Sequence, residues 1–241
     1  MIASAPMEPR IGIPPSLDAA GRWRPGRRFH YVDAAYAEAV AEAGGIPVYL
    51  AAPGPAEAQL AGVDGLLVPG GPDFLPGAPY PEGVRFSPAP EAQLAFDRAL
   101  LAAARARALP VLGVCYGMQL LALESGGALH HHVPLDLPGA LEHQHADPAA
   151  RHPVALVAGT RLAKLFGVAE LAVNTRHHQA VSEPGRDLVV AARSPDGLIE
   201  AIEAADGEAP FLLGVQWHPE SLERPHRAAL FGAFVSACRT A

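Results

Sequence analysis

The chain has 241 residues, half of them hydrophobic, which is enough to bury a sizeable core, and it reads as one domain over residues 1–241. A formal net charge of -7 lacks the basic face that a nucleic-acid partner requires, and no uninterrupted apolar run reaches membrane length, so neither class of partner is expected. Two cysteines, Cys115 and Cys238, cannot build a disulfide framework, and the first ten residues have no apolar stretch to act as a signal peptide. The expected setting is therefore a reducing cytoplasm, and a homodimer is compatible with this size without being dictated by it.

Taken in order, residues 10–14 are a short apolar run closed by proline and read as a first strand. A polar loop with Arg22, Arg24, Arg27 and Arg28 follows and reads as solvated. Over residues 31–43, Val32, Ala35, Tyr36, Ala39 and Val40 recur at helical spacing until Gly44-Gly45 stops the helix. Residues 46–50 then form a second strand, so the chain opens β-α-β, which implies a parallel sheet and a right-handed crossover. A third strand at 65–68 runs into Gly70-Gly71, a turn that lets backbone N–H groups face a cleft with no side chains in the way. Residues 74–90 are a proline-rich loop placed to wall or cover that cleft, and an alanine-rich helix over 90–107 leads to the next strand.

That strand, residues 111–114, ends at Cys115, with Gly113 and Gly117 two residues to either side and an apolar helix starting beyond. G-x-C-x-G is the thiol counterpart of the nucleophile elbow, where the chain turns so sharply from strand to helix that neighbouring side chains would collide. The new helix aims free N–H groups and its positive end at the sulfur, an arrangement that favours a charged nucleophile and can receive a developing oxyanion. A buried structural cysteine is the competing reading. The balance shifts at residues 211–220, FLLGVQWHPE, where another apolar strand ends in His218 with Glu220 two residues on. A cysteine, a base and an orienting acid, each just past a strand, are the parts of a thiol triad.

Between the two stretches, Gly126-Gly127 ends the elbow helix, and His130, His131, His132, His143, His145 and His152 follow in close order. Imidazole is a common metal ligand, but the consecutive triplet has no ligand spacing and no cysteine or clustered acid accompanies it, so no metal is expected. Strands at 154–157 and 171–174 flank a short helix at 162–166, and the second leads into Thr175-Arg176-His177-His178-Gln179. Closely spaced strands at 188–193, 199–203 and 211–216 carry Asp196-Gly197 and Asp206-Gly207 as turn signals. An amphipathic helix closes the chain and places Cys238 in the core.

These stretches together resemble the class I glutamine amidotransferase-like proteins, and most closely the gamma-glutamyl-gamma-aminobutyrate hydrolases. The resemblance is carried by AEAGGIPVYL, LLVPGGPDFLP, PVLGVCYGMQLLAL followed by GGALH, VNTRHHQAV, SPDGLIEAIE and FLLGVQWHPES, in the family's order across nearly the whole chain. It implies a flavodoxin-like α/β fold, a doubly wound and mostly parallel sheet with helices on both faces. It also implies Cys115 as nucleophile, His218 as general base and acid, Glu220 as the acid that orients His218, and the N–H groups of Gly71 and Tyr116 as the oxyanion hole. Gly70, Gln119, Arg176, His177, His178 and Gln179 would surround a γ-glutamyl head group, and no metal or organic cofactor is called for. The implied activity is hydrolysis of small γ-glutamyl amines, in the setting of polyamine catabolism. A glutaminase subunit feeding ammonia to a synthetase, and a non-catalytic binding protein on the same fold, remain open. Two positions depart from the family pattern: Tyr116 stands where arginine commonly follows the nucleophile, and Gln93-Leu94 where an Arg-Asp pair is usual.

Overall fold

A computed structural model describes residues 7–205 and 210–239. Among the described residues, eleven strands form one sheet. Its first five members, β4 (Ile46–Tyr49), β1 (Arg10–Ile13), β5 (Gly65–Val68), β6 (Val111–Val114) and β13 (Leu212–Val215), pair in parallel throughout. From β13 onward the sheet turns antiparallel through β12 (Ile199–Ala204), β11 (Leu188–Arg193), β8 (His152–Leu156) and β9 (Glu170–Val173). A side branch adds β10 (Ala180–Glu183) against β12 and β7 (Ala128–His130).

Alternation along the parallel strands sorts side chains to two faces, as a two-residue repeat must. On β5, Leu67 joins one apolar layer while Leu66 and Val68 join the other; on β6, Leu112 and Val114 face the first and Val111 the second. The first layer is covered by α1 (Ala34–Glu42) and α7 (Arg224–Cys238), which contribute Tyr36, Val40, Phe231 and Phe234. The second is covered by α3 (Glu91–Ala106) and α4 (Tyr116–Glu124), through Phe96, Leu100, Met118 and Leu120. This is the doubly wound α/β arrangement expected, with an antiparallel extension grafted on one side.

The expected helix over 31–43 starts later. Phe29–Tyr31 is instead a strand paired with Ser16–Asp18, and Asp33 caps α1 by accepting the N–H of Ala35. The arginines of the intervening loop are exposed, as expected. A short helix at Ala56–Leu60, preceded by proline, has too few residues to show a period and was not foreseen. The turn expected at Asp206-Gly207 lies outside the described residues. Cys238 is buried against Phe234, and burial pushes its thiol up to about 12, which leaves it inert.

Candidate active site

Cys115 sits immediately past the carboxyl end of β6, at the N-cap of α4, with φ 50 and ψ -103. A positive φ is costly for a residue with a side chain and is held only where the surroundings enforce it. Here two close approaches do so. A Cβ on Gly113 would come within 2.6 Å of the Gly117 carbonyl carbon, and one on Gly117 would overlap the Val68 carbonyl. Both glycines of the elbow are therefore required by packing, and the backbone is fixed by Cys115 N–H donating to Val215 O at 2.8 Å.

His218 follows the neighbouring strand β13. Its Nδ1 lies 2.8 Å from Oε1 of Glu220, whose side chain is almost fully buried in a one-turn helix at Pro219–Ser221. That contact leaves the other ring nitrogen for the thiol. Burial lowers the affinity of His218 for a proton, but the Glu220 carboxylate and a hydrogen bond with Cys115 outweigh it, and the net effect raises its pKa to about 10. His218 and Glu220, hydrogen-bonded to each other, and Cys115, which interacts with His218, are thus brought from two parts of the sequence to the carboxyl edge of the parallel strands, the place where open α/β sheets bind ligands.

Three further side chains that sequence reasoning did not single out hold this chain in place. The hydroxyl of Tyr36 accepts the N–H of Gly70 at 2.9 Å and lies 3.4 Å from His218 Nδ1. Gln216 donates Nε2 to Cys115 Sγ at 3.4 Å. Asn174 takes the N–H of His218 at 2.8 Å and returns Nδ2 to its carbonyl at 2.9 Å, so the backbone of His218 is clamped from both sides. The available signals were a hydroxyl on the apolar stripe of α1 and polar residues ending two apolar strands.

The Gly70-Gly71 turn packs between the two halves of the site. A Cβ on Gly70 would reach within 2.8 Å of His218 Cε1, and one on Gly71 within 3.0 Å of the Tyr116 ring. Tyr116 turns away from the cleft: its ring is buried, stacks on Phe74 at 4.7 Å, and its hydroxyl donates to Asp97 Oδ2 at 2.9 Å. Gln93 donates to the same carboxylate oxygen at 3.3 Å. The two positions that depart from the family pattern therefore meet at one buried carboxylate, which burial raises to about 7 despite those hydrogen bonds.

The remaining expected residues divide into two groups. Arg176 and His178 stay at the surface of the cleft: Arg176 donates Nη2 to Ser221 Oγ at 3.0 Å and lies 3.7 Å from Glu220, while His178 contacts Asp73 at 2.8 Å. Gln119, His177 and Gln179 lie beneath the cleft floor and brace it. Gln119 donates to Gln179 O and to Gln216 Oε1, and Gln179 holds Phe74 through both N–H and carbonyl and also donates to His131 O. His177 faces Glu200 on β12, with Nε2 3.6 Å from Oε1. No helix among the described residues is long and apolar enough to cross a membrane.

The peptidase C26 family model matches residues 9–220. A Mycobacterium tuberculosis protein provisionally named a glutamine amidotransferase is 39% identical over 217 residues, covering 86% of this chain and 67% of that protein. The gamma-glutamyl-gamma-aminobutyrate hydrolase PuuD of Escherichia coli K12 is 35% identical over 219 residues, covering 85% of each. Among solved structures, the glutaminase domain of Trypanosoma brucei CTPS with bound acivicin superposes with a TM-score of 0.63 at 20% identity, covering 96% of this chain and 94% of that one, a likeness of fold. With a strand-to-helix elbow bearing Cys115, a His218–Glu220 pair just past the adjacent strand, and a family model matching residues 9–220, this chain belongs to the peptidase C26 family of glutamine amidotransferase-like proteins.

Proposed function

We propose that the protein is a cysteine-dependent amide hydrolase that cleaves the γ-glutamyl amide bond of small γ-glutamyl amines. The observation that carries this reading is Cys115 at a strained elbow beside His218, whose Nδ1 is hydrogen-bonded to the buried Glu220. The finer assignment, a γ-glutamyl amine rather than another amide, rests on the relatives named as gamma-glutamyl-gamma-aminobutyrate hydrolases.

In this mechanism the Cys115 sulfur attacks the γ-carbonyl carbon, forming a C–S bond and an oxyanion that the N–H groups of Gly71 and Tyr116 receive. The tetrahedral species collapses, the C–N bond breaks, and His218 passes its proton to the departing amine. Water then attacks the γ-glutamyl thioester while His218 takes its proton; the C–S bond breaks, which releases glutamate and leaves the Cys115 sulfur and protonated His218 as at the start. Glu220 holds His218 with Nδ1 toward itself, so that the other nitrogen serves sulfur and water. Gly70, Arg176 and His178 are the groups left at the cleft surface to meet the α-amino and α-carboxylate ends of the substrate. Gln119, His177 and Gln179 keep that surface in shape from below.

One observation favours a second reading, a glutaminase that hands ammonia to a synthetase. Because Tyr116 is turned into the core, the residue after the nucleophile contributes no charge to the leaving-group side. The two readings separate in one assay of purified protein with no partner added, measuring glutamate release from γ-glutamyl-γ-aminobutyrate and from glutamine. The hydrolase reading expects the γ-glutamyl amine to have the higher kcat/KM. Turnover of glutamine alone, with every γ-glutamyl amine left intact, would replace it with the glutaminase reading.

A further inference from the structure

Beneath the site, separated from Cys115 by Gln216 and the 174–179 loop, four side chains converge from four segments. His143 comes from the loop before β8, His152 from β8, His177 from the loop after β9, and Glu200 from β12. All four are buried, Glu200 completely. The acid absent from the histidine-dense stretch itself is thus delivered by the fold from about fifty residues further on.

The hydrogen bonds on the outer side of each ring fix which nitrogen carries the proton. His152 Nδ1 faces the carbonyl oxygen of Pro153 at 3.2 Å, and His177 Nδ1 that of Gln179 at 3.1 Å. A carbonyl oxygen can only accept, so both Nδ1 atoms bear hydrogen. His143 Nε2 lies 2.9 Å from the Asp196 carboxylate, which sets its proton on that side. The inward atoms, His143 Nδ1, His152 Nε2 and His177 Nε2, then present lone pairs. They aim at Glu200 Oε1 from 3.5, 3.7 and 3.6 Å. Thr175 Oγ1 stands 3.3 Å from His143 Nδ1, but its hydrogen goes to the His143 carbonyl at 2.8 Å.

Acceptors facing acceptors in a buried space is unfavourable unless something positive lies between them. Among the described residues, His152 Nε2, His177 Nε2 and both Glu200 oxygens have no hydrogen-bond partner. The ligand atoms of His143, His152 and Glu200 lie within 4.8 Å of one another, and His177 joins them through Glu200; the three separations from Glu200 Oε1 are longer than a good hydrogen bond but near the ~3.3 Å edge of a tetrahedron whose nitrogen and oxygen ligands lie at about 2.0–2.1 Å from zinc. A single added proton could serve one of the three nitrogens and would leave the others unpaired. Imidazoles whose outer N–H groups are held by a carboxylate or a backbone carbonyl are also the usual supports of a metal-ligating set.

We propose that His143, His152, His177 and Glu200 form a closed, structural binding site for one zinc ion. With four protein ligands there is no open position for water or substrate, so the ion ties segments together and takes no part in bond cleavage. The segments it would tie are those that shape the active site. Gln216, which contacts Cys115, donates its N–H to the Glu200 carbonyl at 2.8 Å, and His177 lies three residues from Asn174, the clamp on His218.

The test begins with elemental analysis of the purified wild-type protein after gel filtration, followed by chelator stripping and titration with Co(II). The site predicts about one equivalent of zinc per chain as purified, and after stripping one equivalent of Co(II) with visible d–d bands of tetrahedral intensity that zinc displaces. It also predicts that stripping lowers Tm and that zinc restores it. Glu200→Gln and His152→Asn should lose stoichiometric metal and the cobalt spectrum. If a variant fails to fold, the wild-type metal content and cobalt spectrum decide alone. Wild-type protein that carries no metal and shows neither tetrahedral bands nor a rise in Tm with Co(II) or zinc would overturn the proposal, as would undiminished, spectrally unchanged binding in folded Glu200→Gln.

Discussion

His218 is the residue on which the proposed chemistry turns, because it must give a proton to the departing amine and take one from water. Its folded pKa of about 10 lies above the 6.5 of an ordinary histidine, so the charge on His218 contributes stability that is fully present below about pH 6.5 and is lost as pH rises through about 10. Nuclear magnetic resonance of the histidine rings should therefore find one ring, absent in His218→Gln, that stays protonated across neutral pH. A His218 that titrates near 6.5 would mean that Glu220 and Cys115 do not hold its charge. Glu220 acts through His218, so Glu220→Gln should leave KM nearly unchanged and lower kcat by about 10³- to 10⁴-fold, against about 10⁶-fold for Cys115→Ala. A Glu220→Gln enzyme that keeps kcat and loses substrate binding would show that Glu220 belongs to recognition.

At the scale of elements, α3 and α4 meet through Gln93, Asp97 and Tyr116. Asp97 is raised from 3.8 to about 7, chiefly by burial. The folded state keeps a proton that the unfolded chain gives up, so this group favours folding most below pH 3.8 and stops doing so as pH rises to about 7, at about 1.4 kcal/mol per unit. Asp97→Asn retains an acceptor for Tyr116 and removes the titration. In urea denaturation the variant should therefore gain about 2 kcal/mol on the wild type between pH 5 and pH 7; parallel curves would show that Asp97 titrates in its ordinary range. The elements themselves were largely legible: the β-α-β opening, the strand-elbow-helix around Cys115 and the three late strands follow from apolar period, glycine and proline. The hairpin of Ser16–Asp18 with Phe29–Tyr31 did not, because its strands are three residues long and are defined by each other.

At the scale of the whole molecule, the parallel strands bring residues 36, 70, 115 and 216–220 to one edge, and the antiparallel extension brings residues 143, 152, 177 and 200 together beneath it. In the first gathering Gly70, Cys115, His218 and Glu220 were legible because each follows a strand at a recognisable turn, whereas Tyr36, on the apolar stripe of α1, and Gln216 were not. The second was hidden, because its ligand atoms come from segments that only the antiparallel pairing of β8, β11 and β12 sets side by side. The same distinction explains why Gln119, His177 and Gln179 share motifs with the cleft residues yet point inward: a loop that passes over a sheet edge alternates between cleft and core, and sequence alone does not say which side chain goes where.

The central claim is that amide cleavage runs through a γ-glutamyl thioester on Cys115. Its most direct test is intact-protein mass spectrometry of Glu220→Gln enzyme quenched in acid soon after mixing with γ-glutamyl-γ-aminobutyrate, with peptide mapping of any adduct. A mass increase of one γ-glutamyl group is expected, located on the peptide that contains Cys115 and absent from Cys115→Ala. Substrate turnover that survives in Cys115→Ala, or an adduct on any other residue, would contradict it.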